Sequence, residues 1–422
     1  MSDAQHPTEL TASRHLQPGS VLAPFRSPAF RAIWIANLAS NLGSMAQAVG
    51  AAWLMTGMTK SHLLIALVPA SSTLPIMLFG MFAGAIADNY NRRHVMLAAQ
   101  IGMLLAAALL AVLTWMKLAN PAVLLLFTLF IGTGTALNGP AWQASVRLQV
   151  GMRDLPQAIS LNTISFNLAR SIGPALGGLL ISLWDVSFAF ALNAVSYIFM
   201  ITVLWRWRPE LPAPARRPIL PAIAIGLRFC AGSVPIRKVL LRGLVVGFGF
   251  SAYQALVPSL VRGQMHGNEI DYGLMLGMFG IGSVCSALFV SKARRRWGAE
   301  TVTGIAMLTF ALGQSLLAES HTLAFGLFAA LVAGLGWVTA LTSTNVAMQM
   351  RSPEDILGRC LSIYQAVTFG GMAMGAWSWG MIADWRGTSF ALHAAGGWLV
   401  ATLVLLRTFA PMPTPSEGRI EH

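Results

Sequence analysis

Charge is what this chain most lacks. Asp, Glu, Lys and Arg make up 10% of its 422 residues, against roughly 25% in an ordinary soluble domain. A soluble fold needs charge to cover its outside, so a chain this poor in it must present apolar surface to lipid. Cysteine is also rare. Cys230, Cys285 and Cys360 are far apart in sequence and show no ligand spacing, which excludes a disulfide framework and a thiolate metal site and leaves small core fillers. None of the four lysines lies in a Gly-x-x-x-x-Gly-Lys-Ser/Thr loop, so the chain does not hydrolyse ATP through such a loop. No His-Glu-x-x-His run, cysteine pair or paired carboxylate in a cleft suggests catalysis. The expectation is no enzyme, no cofactor and no metal.

What the chain has in abundance is apolar length. About 20 apolar residues span a bilayer core. Eleven stretches free or nearly free of charge reach that length: 32–59, 61–87, 95–116, 118–146, 186–205, 243–261, 272–291, 301–318, 320–350, 360–383 and 387–406. A twelfth, 155–184, is interrupted by Arg170 alone. The expected fold is an all-α membrane protein with twelve transmembrane helices and no sizeable soluble domain. The first 31 residues are polar and proline-bearing, with no short apolar core before the first span. That reads as an uncleaved first helix rather than a signal peptide.

The net charge of +13 is placed by topology and is not a nucleic-acid footprint. With the N-terminus inside, 23 of the 28 Lys and Arg fall in cytoplasmic segments and four (Lys60, Lys117, Arg262 and Arg386) in external ones. Basic residues accumulate on the cytoplasmic side of membrane proteins. Both termini are therefore expected in the cytoplasm, in a bacterial inner membrane.

The longest charged and proline-rich interval divides the chain. It gives a tail over 1–31, a six-helix bundle over 32–205, a linker over 206–242, a second bundle over 243–406 and a tail over 407–422. Within the linker, 219–242 reads equally as an interfacial helix or a plain connection. An offset of 202 residues relates the halves. Gly132 and Gly134 map to Gly334 and Gly336, Arg92 and Arg93 to Arg294 and Arg295, and Gly173 and Gly178 to Gly375 and Gly380. Parallel repeats about an axis along the membrane normal are one transporter plan, with a site near the midplane.

Two runs carry mechanism. The first is Gly84-Ala-Ile-Ala-Asp88-Asn-Tyr-Asn-Arg92-Arg93. Gly84 lets a helix approach closely, and Asp88 at a membrane edge can accept charge-assisted hydrogen bonds from an Arg or from helix amides of the other half. Gating of the cytoplasmic side and a purely topogenic turn are both open readings. The second, in the fifth span, is Asn162-x-x-x-x-Asn167-x-x-Arg170-x-x-Gly173-Pro174-x-x-Gly177-Gly178. Pro174 removes a helical hydrogen bond and the glycines permit bending and close packing. Arg170 lies about 20 Å of helix from either end of its span. A charge at that depth needs a partner, either an anionic or carbonyl-rich group of a substrate, or Asn167 and backbone carbonyls.

Polar and aromatic side chains inside other spans outline a candidate cavity. Asn37, Asn41, Ser44 and Gln47 share one face of the first helix; Tyr253 and Gln254 lie in the seventh and Tyr364 and Gln365 in the eleventh. Any one of them can instead be interhelical glue.

The Gly84–Arg93 run resembles the loop motif of the major facilitator superfamily, with Asn89 and Asn91 where that motif usually has a basic residue and a glycine. The Gly-Pro-x-x-Gly-Gly run resembles the fifth-helix motif of its exporters. With Pro140-Ala-Trp-Gln143 in the fourth span, and Gly358-Arg359 before Ser362-x-Tyr364-Gln365, the chain is similar to the enterobactin-exporter subgroup of bacterial exporters over nearly all of residues 25–408. The resemblance implies a monomer that exports a small, partly hydrophobic molecule, such as a siderophore, drug or secreted metabolite. Uptake of a small solute is the alternative, and a non-transporting receptor is the least favoured reading. An ion gradient is the remaining energy source. Yet no Asp or Glu lies deep in a span, which leaves Asp88, Asp185, Asp271, Glu319 and His393 as groups for a coupling proton, and facilitated diffusion open.

Overall fold

The computed structural model describes residues 22–209, 218–353, 356–409 and 411. The described residues form thirteen α-helices and no strand. In chain order these are α1 (Pro28–Met58), α2 (His62–Asn89), α3 (Arg92–Trp115), α4 (Pro121–Ser145), α5 (Leu155–Leu183) and α6 (Val186–Arg206). A short α7 (Ile219–Gly232) follows. Then come α8 (Val234–Gly263), α9 (Glu269–Trp297), α10 (Ala299–Ala318), α11 (Leu323–Gln349), α12 (Leu357–Arg386) and α13 (Thr388–Phe409).

Every helix except α7 has 20 residues or more, which is about 30 Å of rise. Ten are both long and apolar enough to cross a membrane. The remaining two long helices, α1 and α12, have 31 and 30 residues and fall outside that set. Short turns with strong start signals separate the spans. Ser61, Asn91, Asn120 and Asp185 each accept a hydrogen bond from the first turn that follows, and Asn268 forms a capping box with Asp271. In lipid such partners matter because the first amides of a helix have no carbonyl of their own. Gly387, at φ 89, turns the chain sharply from α12 into α13, a conformation that side chains resist.

Helices α1–α6 and α8–α13 form two six-helix bundles with the same internal packing. In the first, α4 lies on α2 and α3, and α1 on α5 and α6; in the second, α11 lies on α9 and α10, and α8 on α12 and α13. The repeated glycines are where these contacts occur. A Cβ on Gly132 would press on the Ser72 carbonyl of α2, and one on Gly334 on the Phe279 carbonyl of α9. Lipid supplies no hydrophobic drive between helices, so close approach over small residues holds them together.

Basic residues tie off helix ends within each half. Arg93 donates from Nε to the Leu204 carbonyl at 2.8 Å and from Nη2 to the Trp205 carbonyl at 2.9 Å, and Arg92 reaches the Ala144 carbonyl. The second half uses Arg242, 2% exposed, which pairs with Glu300 at 2.8 Å and donates to the Leu406 carbonyl. Residues 219–242 are neither one helix nor a plain connection. Helix α7 stops at Gly232, and α8 starts at Val234. The seventh span therefore begins nine residues before the charge-free window, with Arg237, Lys238 and Arg242 in its first turns. Cys230 of α7 and Cys360 of α12, distant in sequence, are buried in one cluster as free thiols. Burial first, and then the neighbouring Cys360, pushes the Cys230 thiol up to about 12.

Candidate functional site

Each of the twelve long helices runs once through the molecule, so the start of α1 and the end of α13 share one face, here called the terminal face; the opposite one is the distal face. The halves meet along two antiparallel helix pairs, α2 with α12 and α5 with α9. Both pairs are closed at the distal face. A Cβ on Gly178 of α5 would collide with the Glu269 carbonyl at the start of α9. One on Gly380 of α12 would sit 2.8 Å from the Leu63 Cα at the start of α2. The distal seam also carries polar and aromatic links. Arg262 of α8 donates to Thr56 Oγ1 at 3.0 Å and lies 5.1 Å above the Trp53 ring. Trp53 in turn stacks on Tyr272 of α9. Asp384 of α12 accepts hydrogen bonds from the Ser61 hydroxyl at 2.9 Å and from the His62 and Leu63 amides.

Halfway down the α5–α9 pair sits Arg170. Its guanidinium carbon lies 5.7 Å from the Phe279 ring and 5.4 Å from the Trp337 ring. Both rings belong to the other half, on α9 and α11. They edge a buried aromatic set in which Phe250 stacks on Phe310 and Tyr253 on Phe279. No described residue gives Arg170 a hydrogen bond or an ion pair, and Asn167 donates instead to the Thr163 carbonyl of its own helix at 2.9 Å. A cation over a ring gains about 0.5–2 kcal/mol. Holding a guanidinium at membrane depth costs about 2.5 kcal/mol or more. The rings position the charge without satisfying its five N–H donors, and those donors are the open valence of the seam.

The other polar candidates divide by what they touch. Gln47, 6% exposed, accepts from Asn193 Nδ2 at 2.7 Å, which joins α1 to α6. The Tyr364 hydroxyl donates to Thr344 Oγ1 at 2.8 Å, which joins α12 to α11, and the Tyr253 hydroxyl reaches the Met275 carbonyl of α9. These three are held by protein partners. Asn37, Asn41 and Gln254 are half-buried and Gln365 is exposed, none with a hydrogen-bond partner among the described residues. Asn162, two turns from Arg170, keeps its Oδ1 buried and unbonded. In the bend motif, Gly173 and Gly177 pack on Met45 and Ala46 of α1, while Pro174 and Gly178 face α9. Helix α5 runs unbroken through Pro174. Gly84 faces Ser362 of α12, the place of a Cβ being 3.5 Å from its Oγ. The Asp88 side chain lies outside the described residues.

Sequence reading missed Asp384, Arg262 and the two rings around Arg170. Arg262 and Asp384 border apolar windows and read as loop charges, although Asp384 closes a Gly-x-Ile-Ala-Asp run identical in pattern to the one that ends at Asp88.

Two six-helix bundles meeting around a midplane cation define a polytopic membrane transporter of the major facilitator fold. Solved structures with this arrangement include the nucleoside transporter NupG, with a TM-score of 0.73 at 14% identity over 90% of this chain and 98% of that one. A D-xylose-proton symporter gives 0.69 at 14% identity, over 92% and 98%. The chain belongs to the transmembrane secretion effector family, which it matches over residues 19–419. Among curated relatives, the enterobactin exporter EntS of Shigella boydii is 29% identical, over 92% of this chain and 94% of its own length. The staphyloferrin A transporter of Staphylococcus aureus is 24% identical, over 76% and 81%.

Proposed function

We propose that this transporter exports a small, partly hydrophobic molecule bearing an anionic or carbonyl-rich group, by alternating access across a bacterial inner membrane. The observation that carries the reading is Arg170, a midplane cation set against two aromatic rings and without a polar acceptor among the described residues. An anion or a set of carbonyls would fill its donors, and Phe279 and Trp337 would take the hydrophobic part. Both named relatives handle siderophores, which favours that class of cargo.

The terminal face carries most of the basic residues and is assigned to the cytoplasm. Closed at the distal face, the structure then corresponds to the state that loads from inside. Opening outward would need the distal links to break and the terminal ends of α2 and α12, already in contact at Gly84 and Ser362, to tighten, with Asp88 accepting from the first turn of α12. Arg92 and Arg93 bond carbonyls of their own half, which favours a role in holding α4 and α6 and leaves the gating role to Gly84 and Asp88. An ion gradient supplies the energy in this reading, with a monomer as the working unit.

The test compares cells expressing the wild type, Arg170→Ala, Arg170→Lys or Asp88→Asn at matched membrane abundance, challenged with siderophores, drugs and endogenous metabolites. At least one anionic compound should be depleted from wild-type cells and retained by the Arg170→Ala cells, with Arg170→Lys intermediate. Accumulation by the wild type would reverse the direction and make it an importer. Unchanged export by Arg170→Ala would end the role given to that charge.

A further inference from the structure

The two crossings at the distal face are equivalent at the 202-residue offset, with Gly178 against the start of α9 and Gly380 against the start of α2. They differ one turn further on. Position 182 on α5 is a serine, and its counterpart on α12 is Asp384. That carboxylate reaches across the seam and takes three donors from the first turn of α2: the Ser61 hydroxyl and the His62 and Leu63 amides. A helix start carries unpaired amides and partial positive charge, which a carboxylate satisfies through charge-assisted bonds. All three bonds join one half to the other, so none survives separation of the halves at this face.

Helices α2 and α12 run antiparallel in one register, with Leu63 at Gly380, Met77 at Gly370 and Gly84 at Ser362. Each ends in the same pattern, Gly84-Ala-Ile-Ala-Asp88 and Gly380-Met-Ile-Ala-Asp384. The final Gly-x-Ile-Ala-Asp of each helix therefore lies opposite the first turn of the other. Packing is tight at the distal crossing and looser at the terminal one, at 2.8 Å and 3.5 Å from the place of a Cβ.

We infer that Asp384 is the distal latch of the transport cycle: its carboxylate caps α2 across the seam while the outside is shut and must let go for the outside to open. It is a positioning residue, remote from the cargo. Its counterweight at the terminal face is Asp88, and that part alone rests on the gating role proposed above. Asp384 is exposed, so water competes for its bonds. Its loss is expected to shift the balance between the two states about five- to tenfold rather than abolish closure.

The test uses the full-length protein in lipid nanodiscs, with its three cysteines replaced by alanine and spin-label pairs introduced. The distal pair replaces Lys60 and His321; the terminal pair replaces Gly151 and Met350. With wild-type Asp384 the distal pair should populate mainly its short distance. Asp384→Ala should raise the distal long-distance fraction five- to tenfold and lower that of the terminal pair, while Asp384→Glu should restore the original balance. A merely structural role would broaden both distributions or reduce recovery of folded protein without opposite shifts. Unchanged distances at both faces, or opening at both, would overturn the inference. Adding Asp88→Asn to Asp384→Ala should return both pairs toward their starting populations. If Asp384→Ala alone shifts the balance and the double variant does not return it, the Asp88 reading fails and the Asp384 latch stands.

Discussion

Arg242, Arg262 and Arg170 all lie within helices, and they differ in what answers their charge. Arg242, buried in the second bundle, has a carboxylate and a carbonyl. Arg262 at the distal seam has a hydroxyl and a tryptophan ring. Arg170 at the midplane has two aromatic rings and, among the described residues, no acceptor. A charge left in a low-dielectric setting costs several kcal/mol unless paired and hydrogen-bonded. Full pairing therefore marks a residue that holds the fold, and a missing acceptor marks a place kept for something else. The same contrast runs through the neutral polar residues, with Gln47 and Tyr364 bonded to neighbouring helices and the Asn162 carbonyl bonded to nothing.

That ordering makes stability and transport respond in opposite ways. Replacing Arg242 with Ala removes the close partner of Glu300, leaving Arg407 at 3.9 Å, and should cost about 3 kcal/mol of stability, read as a lower melting temperature and poor recovery from the membrane. Arg170→Ala should leave the melting temperature unchanged or raised, because it removes an unpaired charge. It should slow export tenfold to a hundredfold, as expected for the loss of a charge-assisted bond to cargo worth about 1.5–3 kcal/mol. Efflux rates at matched abundance check this, and a stability loss as large as that of Arg242→Ala would erase the distinction. Next in size is Gly178→Leu, whose side chain would wedge between α5 and the Glu269 carbonyl. Its export should fall about tenfold, with the distal face opened to a membrane-impermeant label. Arg262→Gln should have a smaller effect, two- to fivefold on export rate, since its pairing is exposed and partly replaceable by water.

The smallest expected effect concerns Cys230. Its thiol is held up to about 12 by burial and by Cys360, so at neutral pH it is protonated in the folded chain. A thiol in an unfolded chain ionises near 8.5. Folding thus suppresses ionisation, and this contribution to stability is fully present below about 8.5 and lost as pH rises from there through about 12. Burial also keeps reagent out, so at pH 7 maleimide should label Cys230 in the native protein at least about tenfold more slowly than in the denatured chain. Labelling of the native protein as fast as that of the denatured chain would show that α7 lifts away from α12.

Much of the fold was legible because lipid imposes a coarse code. Charge-free windows located the spans, and the glycines at one offset located the contacts that repeat between the halves. The windows failed where a charge is buried with its partner. Arg242 read as linker because the sequence does not reveal that Glu300 sits beside it, and α8 was cut short for that reason. Arg170 was legible as an anomaly of depth. Its ring neighbours were not, since Phe279 and Trp337 come from two helices far along the chain and only packing brings them near. Asp384 was legible in principle through its repeated pentapeptide, but at the edge of a window a carboxylate looks like any loop charge. Cys230 and Cys360 are the core fillers expected, but their adjacency in one cluster could not be read from positions so distant in sequence, and Cys285 is exposed rather than core.

The central claim is that Arg170 selects its cargo by charge. The direct measurement is calorimetric titration of the purified transporter with an exported anionic compound and with a neutral ester or amide of the same compound. The account predicts that the wild type prefers the anion at least tenfold, about 1.4 kcal/mol, and that Arg170→Ala binds the two forms equally. Equal binding by the wild type, or a preference that persists without Arg170, would contradict it.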